Sequence, residues 1–289
     1  MLDAVDRLLT ASASLAYIAG PKLKDAVTVC TKFSAQGISS TVGYWDKGDD
    51  DDPRLVADAY LEALNAIHIE HLDAYISIKA PPLKYADDLL AEVVARARQT
   101  GIGVHFDSLF PEAADRTLEL IADTVKRYAR TGCTVPGRWR RSVDDAARAV
   151  ELGVARIRVV KGQWEDPEAP KMDMRQGYLA VIDRLAGTAT HVAVATHDPV
   201  LAQAAIRRLQ VAGTSCEMEL LYGLPMHAIL RIAREHAVPV RLYVPYGTAY
   251  MPYALSQVRR NPRILWWYIR DTLMGSRRGV VNDELSVKP

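Results

Sequence analysis

Ten residues, Ala155-Arg-Ile-Arg-Val-Val-Lys-Gly-Gln-Trp164, gather the side chains best suited to chemistry. Ile157, Val159 and Val160 are β-branched, and no Gly or Pro interrupts 155–160, so the run reads as a buried strand. It ends on Lys161-Gly162, where a chain must turn. Parallel α/β proteins bind ligands beyond the carboxyl ends of their strands. Arg158, Lys161, Gly162 and Gln163 therefore stand where a ligand would, and two of them are cations. The plainer reading is a strand end decorated with solvated charge.

The rest of the chain predicts how such a strand is mounted. Strand-like runs fall at 38–44, 74–79, 103–107, 133–136, 155–160, 191–196, 214–221 and 239–244. Helical runs alternate with them at 53–67, 84–99, 111–128, 142–152, 170–185, 199–209, 225–236 and 252–274. Asp49 to Asp52 precede Pro53, where carboxylates favour a helix start through its dipole, and Ser142 reads as a cap. Eight alternating units predict a parallel sheet closed into a (βα)8 barrel. Two helical stretches over 1–17 and 23–35 form an N-terminal lead-in. The chain reads as one domain over 1–289: lead-in 1–37, barrel 38–274, tail 275–289.

In that register the strand ends bring Lys79, Asp107, Arg158, Lys161, Thr196, His197, Glu219 and Tyr243 to one mouth. Glu217 and Glu219 alternate on one strand, so both point into the barrel or both outward, and an inward pair demands partners. His105 and Asp107 with His197 and Asp198 are the available metal ligands, but the first strand offers only Ser40, Val42 and Tyr44, so no metal site is predicted. Neither a Walker loop nor GxGxxG occurs. Lys79, Arg158 and Lys161 suit an anion: a carboxylate, or the pyrophosphate of a dinucleotide or flavin. A salt-bridge layer inside the barrel is the other reading.

Composition excludes several classes. The 289 residues carry a formal charge of +1, with 49% hydrophobic and 25% charged residues, so no global attraction to nucleic acid arises. No apolar run reaches the ~18 residues that span a bilayer. Cys30, Cys133 and Cys216 are widely spaced and odd in number, which predicts reduced thiols in a cytoplasmic protein. Trp266, Trp267 and Tyr268 read as packing on the last helix, with a contact to a second copy in a homo-oligomer as the other reading.

Four segments in order, Arg158-Val-Val-Lys-Gly-Gln-Trp-Glu165, Ala195-Thr-His-Asp198, Glu217-Met-Glu-Leu-Leu-Tyr-Gly223 and Arg241-Leu-Tyr-Val-Pro-Tyr-Gly247, together resemble the proline dehydrogenase family in its short single-function bacterial form. Ser77-Ile-Lys79, Asp107, Pro252-Tyr253 and Asn261-Pro262 extend the match, which covers about 17–273. The resemblance implies a distorted barrel holding FAD, which takes a hydride from L-proline at its N5 and passes the electrons to a quinone. It implies that Arg158 lies beside N5, that Val160, Lys161, Gly162 and Gln163 wrap the flavin, that Thr196 and His197 hold its ribityl–pyrophosphate part, and that Glu219 lies near the ring, where the family commonly has a glutamine. Lys79 would meet the substrate carboxylate, Asp107 would balance the cations, and Tyr243, Tyr253 and Trp164 would wall the substrate.

The sequence departs from that pattern twice. Ser256 and Gln257 stand where the family carries two arginines that clamp the substrate carboxylate, and Arg260 stands at the family's glutamate. Arg260 lies on the same helix face, three or four residues on. Losing two charged donors weakens carboxylate binding by about 1.5–3 kcal/mol each. Val135-Pro136-Gly137-Arg138 also replaces a strand end where the family has a glutamine on the flavin; Arg138 offers a cation instead, and Trp139, Arg140 and Arg141 read as a solvated loop and helix start. Both changes suggest a cyclic secondary amine whose carboxylate is absent or differently placed.

Overall fold

The computed structural model describes residues 17–45 and 52–247. The lead-in helix predicted before Tyr17, Asp49 to Asp51, the helix predicted over 252–274 and the tail lie outside the described residues. So do Tyr253, Ser256, Gln257 and Arg260.

Eight parallel strands close in chain order, β1 pairing with both β2 and β8, so the predicted (βα)8 barrel is borne out. The strands are β1 Ser39–Trp45, β2 Ala74–Ile78, β3 Val104–Phe106, β4 Thr131–Pro136, β5 Arg156–Val160, β6 His191–Ala195, β7 Ser215–Leu221 and β8 Val240–Gly247. The helices are α1 Leu23–Ser34, α2 Pro53–Ile69, α3 Asp87–Thr100, α4 Ala114–Arg127, α5 Ser142–Glu151, α6 Met174–Leu185, α7 Pro199–Val211 and α8 His227–Glu235.

Strand residues alternate between two very different environments. Outward-facing Ile76, Ile78, Phe106, Val135, Ile157, Val159, Val192, Val194, Met218, Leu220 and Val244 are buried against the helices and form the apolar core. The inward-facing set is polar: Thr41, Tyr75, Ser77, His105, Thr134, Arg158, Glu217, Glu219 and Arg241, nearly all buried. Barrel interiors are ordinarily filled by bulky branched side chains. This one is filled by long polar side chains, and small residues on neighbouring strands make room for them. A side chain on Gly43 would strike the Tyr243 hydroxyl at 2.4 Å, and one on Gly132 would strike His105 Nδ1 at the same distance. Ala193 and Ala195 face inward on β6, in register with Glu217 and Glu219, so β5 and β7 side chains can meet across them.

Helix starts follow local capping. Asp52 accepts the Arg54 N–H at the head of α2, and Asp173 accepts from Arg175 and Gln176 at the head of α6, four residues later than predicted from Pro170. The helix predicted from Lys84 begins at Asp87, because Lys84 and Tyr85 are left-handed. Ser142 does not cap α5: Arg141 occupies that position, and the Ser142 hydroxyl donates to the Pro136 carbonyl.

Candidate active site

The mouth is floored by two tiers of buried charge. In the upper tier Arg158, reaching from β5 across β6, makes a two-point pair with Glu219: Nε to Oε2 at 2.8 Å and Nη2 to Oε1 at 2.7 Å. Its Nη1 donates to Asp107 Oδ1 at 2.7 Å. Longer bonds run from Nη1 to Thr134 Oγ1 and from Nη2 to the Tyr75 hydroxyl, both 3.3 Å. The side chain is 4% exposed. Burial opposes its charge, but Glu219, Tyr75 and Asp107 outweigh that and raise its pKa well above the usual arginine range.

The carboxylates are equally well held. Glu219 also accepts from the Thr41 hydroxyl at 2.7 Å and the Tyr75 hydroxyl at 3.0 Å. Asp107 accepts from Ser77 at 2.6 Å and from the Tyr243 hydroxyl at 3.0 Å. Burial, then Asp107, holds the Tyr243 phenol well above its ordinary pKa. Of the two inward carboxylates of β7, Glu219 has thus found its partners.

The lower tier centres on Glu217, which accepts from Arg241 Nε at 3.0 Å. Arg156 Nε lies 3.2 Å from Glu217 but is not aligned to donate to it. Burial raises the Glu217 pKa and loses to His191, Arg241 and Arg156, which bring it down to about 2. The Tyr75 ring links the tiers: the guanidinium carbons of Arg156, Arg241 and Arg158 lie 4.2, 4.7 and 5.9 Å from its centroid. His105 stacks on the same ring at 5.4 Å and pairs with Thr134 at 3.0 Å. Burial, then the three arginines, keeps it neutral.

At the rim, the Lys79 backbone N–H donates to the Tyr60 hydroxyl at 2.9 Å, and its Nζ reaches the Tyr44 carbonyl. Lys161 Nζ is 3.5 Å from Asp198, which also pairs with Arg175 at 2.5 Å; Lys161 remains 38% exposed. Gly162 follows β5 with φ +92, where a side chain would meet Pro136 and Arg138. Val160 and Gln163 flank that turn, and Arg138 clamps it by donating to the Gln163 carbonyl at 3.0 Å and to Glu165 at 3.1 Å. Arg138 is therefore spent on the β5 loop. Trp139 is 2% exposed and donates to the Trp164 carbonyl, so it is a buried anchor rather than part of a solvated loop. Trp164 is 41% exposed and meets Phe110 edge to face.

The Thr196 hydroxyl accepts the Asp198 N–H at 3.1 Å. His197 Nε2 accepts the Leu221 N–H at 2.9 Å, which leaves Nδ1–H to donate to the Pro225 carbonyl at 3.1 Å. The two nitrogens thus tie the end of β6 to the end of β7 and to the loop that follows it. Among the described residues no three His, Cys, Asp or Glu side chains converge to hold a metal ion, and no helix is long and apolar enough to cross a membrane.

The predicted strand-end residues Asp107, Arg158, Glu219 and Tyr243 form one connected cluster; Lys161 and His197 lie on the rim beside it. Tyr75, Thr41, Thr134, Arg156 and Arg241 complete the floor and were absent from the predicted set. For Tyr75, Thr134, Arg156 and Arg241 the signal was available, since each is a polar residue at an inward position of a predicted strand. On β1 the expected inward set Ser40, Val42 and Tyr44 is corrected to Thr41 and Gly43, because Thr41 donates to Glu219 and Gly43 lies against Tyr243 inside the barrel.

No protein-family model matches the chain. Proline dehydrogenase 1 of Bacillus subtilis is 23% identical over 263 residues, covering 85% of this chain and 86% of that protein. Proline dehydrogenase of Deinococcus radiodurans is 23% identical over 279 residues, covering 90% and 89%. Among solved structures, proline utilization A of Bdellovibrio bacteriovorus, inactivated by N-propargylglycine, superposes with a TM-score of 0.75 at 15% identity over 92% of this chain. That of Bradyrhizobium japonicum gives 0.69 at 16% over 84%. The chain spans about a third of the length of those two, 34% and 30%. It is therefore a divergent sequence relative of proteins named proline dehydrogenase, on a barrel shared with proline utilization A.

Proposed function

We propose that this chain is a flavin-dependent oxidoreductase that converts L-proline, or a proline-like cyclic secondary amine, to the corresponding imine and hands the electrons to a quinone or another acceptor. The observation that carries this reading is a buried arginine on β5, held between Asp107 and Glu219 at the carboxyl mouth of the barrel, in a chain similar along most of its length to proline dehydrogenases.

The rim suits FAD. Lys161 and Arg175 share one carboxylate and keep positive charge near the head of α7, as a pyrophosphate requires. Gly162 brings backbone to the rim without a side chain, beside Val160 and Gln163. Thr196 and a neutral His197 border the same opening. When bound, a flavin supplies the two-electron acceptor for hydride leaving the carbon next to the amine nitrogen.

The chain's own residues would do the rest. Arg158 would face a bound flavin as a cation fixed by two carboxylates. Asp107 holds Tyr243 through its hydroxyl, setting one wall of the substrate site, with Trp164 on another. Lys79 would attract a substrate carboxylate. On the family resemblance, Tyr253 and Arg260, from the segment predicted as the last helix, would close the site. Ser256 and Gln257 favour a second reading, a substrate-shifted barrel whose amine lacks a free carboxylate, because neither residue can form a charged clamp.

Purified protein tests the first reading by its colour and by anaerobic titration with L-proline, its amide or ester, hydroxyproline and pyrrolidine. A yellow protein bleached by L-proline is expected. Bleaching by the amide or ester but not the free acid selects the substrate-shifted reading, and a colourless protein that takes up no flavin on refolding overturns both.

A further inference from the structure

A guanidinium carries five N–H donors and a carboxylate about four acceptor positions. Arg158 spends all five inside the barrel, on Glu219 twice, Asp107, Thr134 and Tyr75. Glu219 is as fully used: Oε1 takes Thr41 and Arg158, and Oε2 takes Tyr75 and Arg158. In this arrangement neither group has a hydrogen-bonding position left for a molecule in the mouth. Charge follows the same pattern. One cation with Glu219 and Asp107 leaves the upper tier at minus one, while Arg156 and Arg241 around Glu217 leave the lower tier at plus one. A group bound above therefore meets a compensated guanidinium, not a bare cation.

We propose that Glu219 is a positioning residue: it locks the Arg158 guanidinium in place and cancels its charge, so that a redox group in the mouth is harder to reduce than it would be above Arg158 alone. The redox half of this proposal rests on the flavin reading above; the lock does not. Low-dielectric surroundings make the charge of a neighbouring carboxylate count.

Glu219→Gln in the full chain keeps the side-chain shape and removes the charge. The midpoint potential of the bound flavin is expected to move to more positive values, and Glu217→Gln, one tier lower, to move it less. An unchanged potential in Glu219→Gln overturns the electrostatic half. The lock is read without flavin: the Arg158 Nε–H, followed by NMR of the guanidinium, should be protected from solvent exchange in the native chain and lose protection in Glu219→Gln. Equal protection in the two overturns it. Should the native chain take up no flavin, the flavin reading fails while the exchange measurement still decides the lock. Should Glu219→Gln not fold, Glu219→Asp keeps the charge and shortens the side chain, breaking the two-point pair with Arg158; native-like protection of the Arg158 Nε–H there overturns the lock.

Discussion

Arg158 has the longest reach of any side chain in the upper tier, and its environment decides what changing it does. Its partners are buried carboxylates, so removing it strands two negative charges. Arg158→Met is expected to destabilise the fold by about 3–5 kcal/mol, the usual result of breaking a buried pair from one side. Arg158→Met with Glu219→Leu should cost less than the two single changes added together, because no unpaired charge remains at that pair. Urea unfolding of the three variants measures this coupling; strict additivity would show that the pair contributes nothing jointly. A loss of flavin bleaching in Arg158→Met alone would therefore mix chemistry with stability. The mouth position of Arg158, Asp107, Glu219 and Tyr243 was legible from strand ends. The five-fold use of one guanidinium was not, because it depends on reach across β6, which period-two alternation does not encode.

Strands here specify space as much as hydrogen bonding. Two of the long polar side chains inside the barrel face a glycine on an adjacent strand: Tyr243 over Gly43, His105 beside Gly132. Gly43→Ala would drive a methyl into the Tyr243 hydroxyl and separate it from Asp107. Gly132→Ala would meet both His105 and the Arg156 carbonyl, at 2.4 and 3.0 Å. Each should cost about 1–3 kcal/mol, as overpacked interiors do. Thermal unfolding of the two variants tests this, and native-like melting would show that the interior yields freely. The strand–helix alternation was readable from hydrophobic period. Helix starts were not, where capping by Asp173 or the left-handed Lys84 and Tyr85 overrode the proline signal.

The molecule as a whole encloses a charged interior within an apolar shell, which makes its stability depend on pH in two windows. His105 and His197 are kept neutral, first by burial, so their folded pKa values lie below the ordinary 6.5. The unfolded chain then binds more protons below that value, and stability falls as pH drops through it. Glu217, held near 2 against an ordinary 4.5, contributes stability that is present above 4.5 and lost as pH falls from there toward 2. Melting temperature followed downward in pH should therefore fall in two stages. His105→Gln should make the first stage shallower and leave the second intact. A melting temperature flat between 6.5 and 4.5 would contradict the neutral histidines.

The order of β-branched runs, turns and amphipathic stretches was enough to predict a closed barrel, because burial of one strand face against helices needs only local periodicity. The same order placed a set of charged strand ends at one mouth, and four short segments carried the resemblance to proline dehydrogenases. What required the folded chain was pairing. Whether Glu217 and Glu219 faced inward, and whether Arg158 was a free cation or a compensated one, turned on Ala193, Ala195, Gly43 and Gly132 leaving room in three dimensions. A buried charge takes its character from the groups within about 4 Å of it. In this barrel those groups come from strands up to 201 residues apart in the chain, as Ser40 and Arg241 are.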